Sequence, residues 1–76
     1  MTNSKLLRKY IEQSGLKRTY VAGKLGLSYQ GYLNKESGKS EFTQSEIQSL
    51  CDLLSISAQD KERIFFAHDV DYSSTQ

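Results

Sequence analysis

The sequence predicts an all-α protein, a compact bundle of four to five helices around one small core. Two observations carry this expectation. Between Arg18 and Lys39 the chain reads RTYVAGKLGLSYQGYLNKESGK: an apolar-periodic segment (Val21, Ala22, Leu25) meets Gly26, and Ser28 then caps a second short segment that stops at Gly38. Further along, Ile47, Leu50, Cys51 and Leu54 fall at i, i+3, i+4 and i+7, the stripe of an amphipathic helix. The 76 residues contain no proline, which argues against proline-rich linkers, and a chain of this length supports one domain. Residues 1–68 are expected to form that domain and residues 69–76 a flexible tail.

Each element has its own signal. Thr2, Asn3 or Ser4 can cap a first helix whose apolar face is Leu6, Leu7, Tyr10 and Ile11, and Gly15 ends it in the left-handed conformation. The second helix runs from about Arg18 to Leu25 with Val21, Ala22 and Leu25 inward; Ala22 is small enough for a close crossing, and Gly26 suits a bend that asks for positive φ. The third spans roughly Ser28 to Ser37, with Tyr32 and Leu33 inward and Lys35 where an apolar side chain is expected; its methylene stem can cover the core while the ammonium reaches solvent or phosphate. Phe42 reads as a core plug, and Thr43-Gln-Ser-Glu46 as a capping box for the fourth helix. Ser57 and Asp60 suggest a short fifth helix through Ile64, Phe65, Phe66 and Ala67.

Two short helices joined by a three-to-four-residue turn make a helix-turn-helix unit, whose second helix such proteins lay into the major groove of DNA. A net charge of +1 argues against nucleic acid until its distribution is considered. Residues 1–40 hold eight basic against two acidic residues, or +6, and residues 41–76 hold two against seven, or −5. A phosphate-facing surface needs positive charge concentrated on one side. The basic half is the half that carries the helix-turn-helix.

With these residues in place, the chain resembles the Cro/repressor-type helix-turn-helix family of phage and bacterial regulators. The likeness rests on GLKRTYVAGKLGLS, on the ESGK that closes the third helix and on FTQSEIQSLCDLL. The ending, IFFA followed by DVD, is similar to small Cro-like proteins of phages of Gram-positive hosts. The resemblance implies a lambda-repressor-like DNA-binding domain that represses transcription by binding double-stranded operator DNA, commonly as a homodimer on paired half-sites. The chain departs from the family pattern in three ways. Arg18 stands where Gln is frequent, Lys35 replaces the usual aliphatic residue, and the long C-terminal domain of larger repressors is not expected, so any dimer is expected to come from this one domain.

On that reading Tyr29, Gln30 and Asn34 point outward from the third helix as base contacts. Gln30 and Asn34 lie four apart, and both amides can make the paired donor–acceptor contact that adenine offers. Phosphate contacts are expected from Lys17, Arg18 and Thr19 at the start of the second helix, from Ser28, and from Lys35, Lys39 and Ser40. Lys5, Arg8 and Lys9 read as a solvated face, with Glu36 bridging to the first helix, for instance to Arg8. Ile64, Phe65 and Phe66 are candidates for contact between two copies, the alternative being burial under a C-terminal cap.

Other function classes find little support. His68 stands without a second ligand at zinc spacing, Cys51 reads as a core residue, and no Gly-rich phosphate loop or nucleophile–base pair is assembled. No enzyme activity, metal, cofactor or small-molecule ligand is expected. No apolar run approaches the roughly 18 residues that span a bilayer, no secretory signal opens the chain, and one cysteine cannot form an internal disulfide. A cytoplasmic setting in a bacterial host, nucleoid-associated when bound, is the expectation. The competing reading is a protein-interaction module, an anti-repressor or regulator-binding protein that uses the same fold and its C-terminal aromatic segment.

Overall fold

The structure, a computed structural model, describes residues 2–66. Among them are five helices and no strand: α1 (Ser4–Ser14), α2 (Arg18–Lys24), α3 (Tyr29–Glu36), α4 (Gln44–Leu54) and α5 (Ala58–Phe65). The all-α bundle is therefore as expected. Ala67, His68 and the tail 69–76 lie outside the described residues.

Helix boundaries follow local chemistry. Of the three capping candidates for α1 it is Asn3 that acts, its Oδ1 accepting from the Leu6 N–H at 3.1 Å. Gly15 closes that helix at φ 74°. Ser28, Thr43 and Ser57 each accept the backbone N–H three residues on, and Glu46 completes the capping box by accepting from the Thr43 N–H at 2.9 Å. The turn between α2 and α3 is pinned by Gly26 at φ 75° and by the Leu27 N–H donating to the Ala22 carbonyl at 2.9 Å. A glycine costs nothing there, whereas a residue with a Cβ would be strained. The end of α4 carries no such glycine: Ser55 takes the left-handed position at φ 55°, and the sequence offers no flag for it.

One core unites the helices. Leu7 and Ile11 of α1, Val21 and Ala22 of α2, Tyr32 of α3, Ile47, Leu50 and Leu54 of α4, and Ile64 and Phe65 of α5 are buried together with Phe42 and Ile56 from the connections. The expected plug, Phe42, links Tyr32 (ring centroids 6.2 Å apart) to Phe65 (5.6 Å, edge to face). α1 packs against α3, α4 and α5, while α2 packs on α3. The N-terminal segment is tied in as well, the Asn3 N–H donating to the Ile64 carbonyl at 2.6 Å.

Three expectations need correction. Cys51 and Leu33 are half-buried rather than interior. The second inward position of α3 belongs to Glu36, one turn beyond Tyr32 and 3 % exposed. The rotation of α3 that seats the Tyr32 ring against Phe42 carries Glu36 inward with it and leaves Leu33 at the margin. Finally, Ile64 and Phe65, expected as candidates for contact between copies, are core residues, at 0 % and 5 % exposed. In this arrangement neither has surface to offer a partner; of the three, Phe66 alone is half-buried.

The Tyr32 hydroxyl is buried and meets no partner in full hydrogen-bonding geometry, the Glu36 carboxylate being the one acceptor that acts on it from nearby. Burial, with the nearby Glu36 charge, pushes its phenol well above the ordinary range. An unsatisfied buried hydroxyl costs about 1–3 kcal/mol, so Tyr32→Phe is expected to leave stability unchanged or raise it by about 1 kcal/mol in urea unfolding. A loss of more than about 1 kcal/mol would show that the hydroxyl is bonded after all.

Candidate nucleic-acid interface

The exposed face of α3 begins at its cap. Ser28 Oγ accepts from the Gly31 N–H at 3.0 Å, which fixes where the first turn starts and so where Tyr29 and Gln30 emerge. Tyr29 is 48 % exposed and Gln30 is exposed. One turn on, Asn34 is half-buried, and the Gln30 Nε2 donates to the Asn34 Oδ1 at 3.1 Å. The bond couples the two amides into one unit. Gln30 keeps its carbonyl oxygen and Asn34 its amino group, an acceptor and a donor side by side. Beyond α3 the chain folds back at once: the Lys39 and Ser40 N–H groups both donate to the Asn34 carbonyl, at 2.9 and 3.3 Å. Lys39 and Ser40 themselves stay exposed.

These residues share an open depression. Tyr29, Gln30, Asn34 and Lys39 line it together with Arg18 from α2, Arg8 from α1, and Leu33, Glu36 and Ser37. Arg8 is exposed, in keeping with the solvated face the sequence predicts for Lys5, Arg8 and Lys9. The expected bridge from Glu36 places Arg8 beside α3, and the crossing of α1 over α3 brings it into the depression. Lys17 and Thr19, at the start of α2, are exposed. A second exposed aromatic, Tyr20, has the Lys24 ammonium 5.9 Å from its ring centroid and was not singled out by its sequence context.

Glu36 organises the depression from beneath. The Arg18 guanidinium grips its carboxylate with three bonds, Nε to Oε1 at 2.9 Å, Nε to Oε2 at 3.2 Å and Nη2 to Oε2 at 3.1 Å. Arg8 approaches the same carboxylate at 3.5 Å, as expected, and the Ser4 hydroxyl donates to the Glu36 carbonyl at 2.5 Å. The Arg18 partner could not be seen in the sequence, where the two residues stand 18 apart. Glu36 is the one buried charged side chain among the described residues.

Lys35 behaves similarly. Its ammonium donates to Glu46 Oε1 at 2.7 Å, and its side chain is 18 % exposed. The stem covers the core margin as expected, while the charge, expected to reach solvent or a phosphate, meets the capping-box carboxylate. One carboxylate thus caps α4 and ties α3 to it.

A family model described as helix-turn-helix matches residues 7–61. The chain belongs to the helix-turn-helix family. The match is to the Cro/repressor type, a family of DNA-binding transcription regulators. No curated protein and no solved structure matches the chain. In a helix-turn-helix protein the second helix of the unit, here α3, is the one whose N-terminal residues meet base edges, and the depression is built around that helix. Among the described residues, no helix is long and apolar enough to cross a membrane.

The Lys35–Glu46 contact has a pH signature. Burial alone would raise the Glu46 carboxyl, but the bonds from Lys35 and from the Thr43 N–H outweigh it and hold the group below the ordinary carboxylate range. A depressed native pKa adds stability above the unfolded value and loses it as pH falls through the native one. The stability gap between the protein and Glu46→Gln is therefore expected to be largest near neutrality and to close below about pH 4. Parallel urea titrations across pH 3–7 measure it (the range follows the ordinary carboxylate pKa of about 4.3).

Proposed function

We propose that this protein is a sequence-specific, Cro-type transcriptional repressor of phage character that reads double-stranded operator DNA with α3 in the major groove. The observation that carries the reading is the coupled amide pair Gln30–Asn34, joined at 3.1 Å on the open face of α3. Its outward acceptor and donor suit the N6 and N7 edge of adenine, and each good bidentate contact is worth about 1–3 kcal/mol of discrimination. Tyr29 beside them offers a ring to a thymine methyl or a hydroxyl to a phosphate.

Cations flank the pair. Lys39 lies in the same depression, and Lys17, Thr19, Ser28 and Ser40 are exposed at the ends of α2 and α3, where backbone phosphates would run along the groove. The concentration of eight basic residues in the first 40 supports the same orientation. The setting that follows is the bacterial cytoplasm, with the protein on the nucleoid when bound. Binding as a homodimer on paired half-sites belongs to this proposal. The protein-interaction alternative is weakened by the burial of Phe65, half of the aromatic pair on which it relied.

Selection from random duplexes at two salt concentrations tests the reading. A palindromic winner supports operator recognition by a dimer, and no enrichment even in dilute salt ends it. Gln30→Ala and Asn34→Ala are each expected to weaken binding to the winning site roughly five- to hundredfold with unchanged helical circular dichroism. Lys39→Ala is expected to weaken all duplexes alike and to reduce the slope of log affinity against log salt by about 0.9.

A further inference from the structure

Arg18 lies in the depression beside the base-reading face, where a cation invites assignment as a phosphate ligand. Its bonding points elsewhere. Two of its three guanidinium nitrogens are spent on Glu36 in three contacts of 2.9–3.2 Å, and the side chain is 30 % exposed against 3 % for its partner. A carboxylate so deeply placed depends on its cations, and the second one, Arg8, is at 3.5 Å and half exposed. Were Arg18 to leave for a phosphate, it would exchange one anion for another and strand the first in the interior, where an unpaired charge is costly. Its remaining amino group, Nη1, could still touch a phosphate, but the charge behind it is already neutralised.

We infer that Arg18 is a positioning residue for the recognition helix and contributes no counterion to the electrostatic part of DNA binding. The inference rests on the DNA-reading role proposed above for α3. Arg18 stands at the first residue of α2 and Glu36 at the last of α3. The pair therefore joins the two helices of the unit at the ends away from their turn. The turn fixes one end of the angle between them, through Gly26 and the Leu27–Ala22 bond, and the ion pair fixes the other. A planar guanidinium accepts a carboxylate in one geometry, whereas an ammonium would hold it as a point charge with no preferred angle. The orientation of Gln30 and Asn34 follows from that closure.

The test measures affinity for a selected duplex against salt for the protein, Arg18→Gln and Arg18→Lys, with folding followed by circular dichroism. A phosphate ligand and a positioning residue predict opposite patterns. If Arg18 positions α3, Arg18→Gln lowers affinity roughly tenfold or more at every salt concentration, as loss of charge-assisted bonds implies, and leaves the salt slope unchanged. Arg18→Lys, which retains the charge and compensates Glu36, then also loses affinity with the slope intact. A slope reduced by about 0.9 in Arg18→Gln, or an Arg18→Lys protein binding as well as the parent, overturns the inference. Should Arg18→Gln not fold, Arg18→Lys decides alone. Absence of duplex binding by the parent protein is a different result: it removes the proposed function, and this inference with it.

Discussion

A single buried carboxylate sets the geometry on which the rest of this structure depends. Glu36 closes α3, lies beneath its exposed face, and is held by Arg18 of α2 and approached by Arg8 of α1. Its own backbone carbonyl accepts from the Ser4 hydroxyl. Three helices therefore meet at one residue. Buried ion pairs add little net stability, because desolvation of both charges offsets most of their attraction. What such a pair supplies is direction: bidentate geometry admits few arrangements, and packed hydrocarbon admits many. The apolar core of Leu7, Val21, Tyr32 and Leu50 supplies cohesion, and Glu36 supplies the angle at which α3 stands.

A second polar tie works from the neighbouring residue of the same helix, about 100° round its axis. Lys35 occupies a place where helical spacing asks for an apolar residue, and its ammonium reaches the carboxylate that caps α4. The helix is thus held toward α1 and α2 by residue 36 and toward α4 by residue 35. Its own apolar contribution is slender, since Tyr32 is its one buried hydrophobic side chain. A short helix with so little core contact needs other constraints to hold one orientation. The two ion pairs, the Ser28 cap and the Gly26 turn are those constraints.

The charge arithmetic gains meaning from these pairings. The first 40 residues carry an excess of +6, but cations do not all serve the same end. Arg18 and Lys35 are matched internally to Glu36 and Glu46, while Lys17 and Lys39 remain exposed. The family is one of DNA-binding regulators, and the internal ion pairs separate cations that already have an anion from those that do not. Counting basic residues in a helix-turn-helix segment overstates the latter, because an arginine held by a buried carboxylate has already found its anion.

The sequence by itself determined the local features. Caps at Ser28, Thr43 and Ser57, left-handed glycines at 15, 26 and 38, and the stripe of α4 are written in short stretches, since capping bonds span three residues and helical faces repeat every 3.6. The order and spacing of those features pointed to the helix-turn-helix family, and helical spacing alone put the amides at 30 and 34 one turn apart on one face, where they bond. What only the tertiary structure decided were the partners across the bundle: Glu36 for Arg18, Glu46 for Lys35, Asp60 for the Tyr10 hydroxyl, and the core for Ile64 and Phe65. Each depends on how far one helix is rotated against another. That rotation is a compromise among all the side chains at a crossing, and no local spacing encodes it.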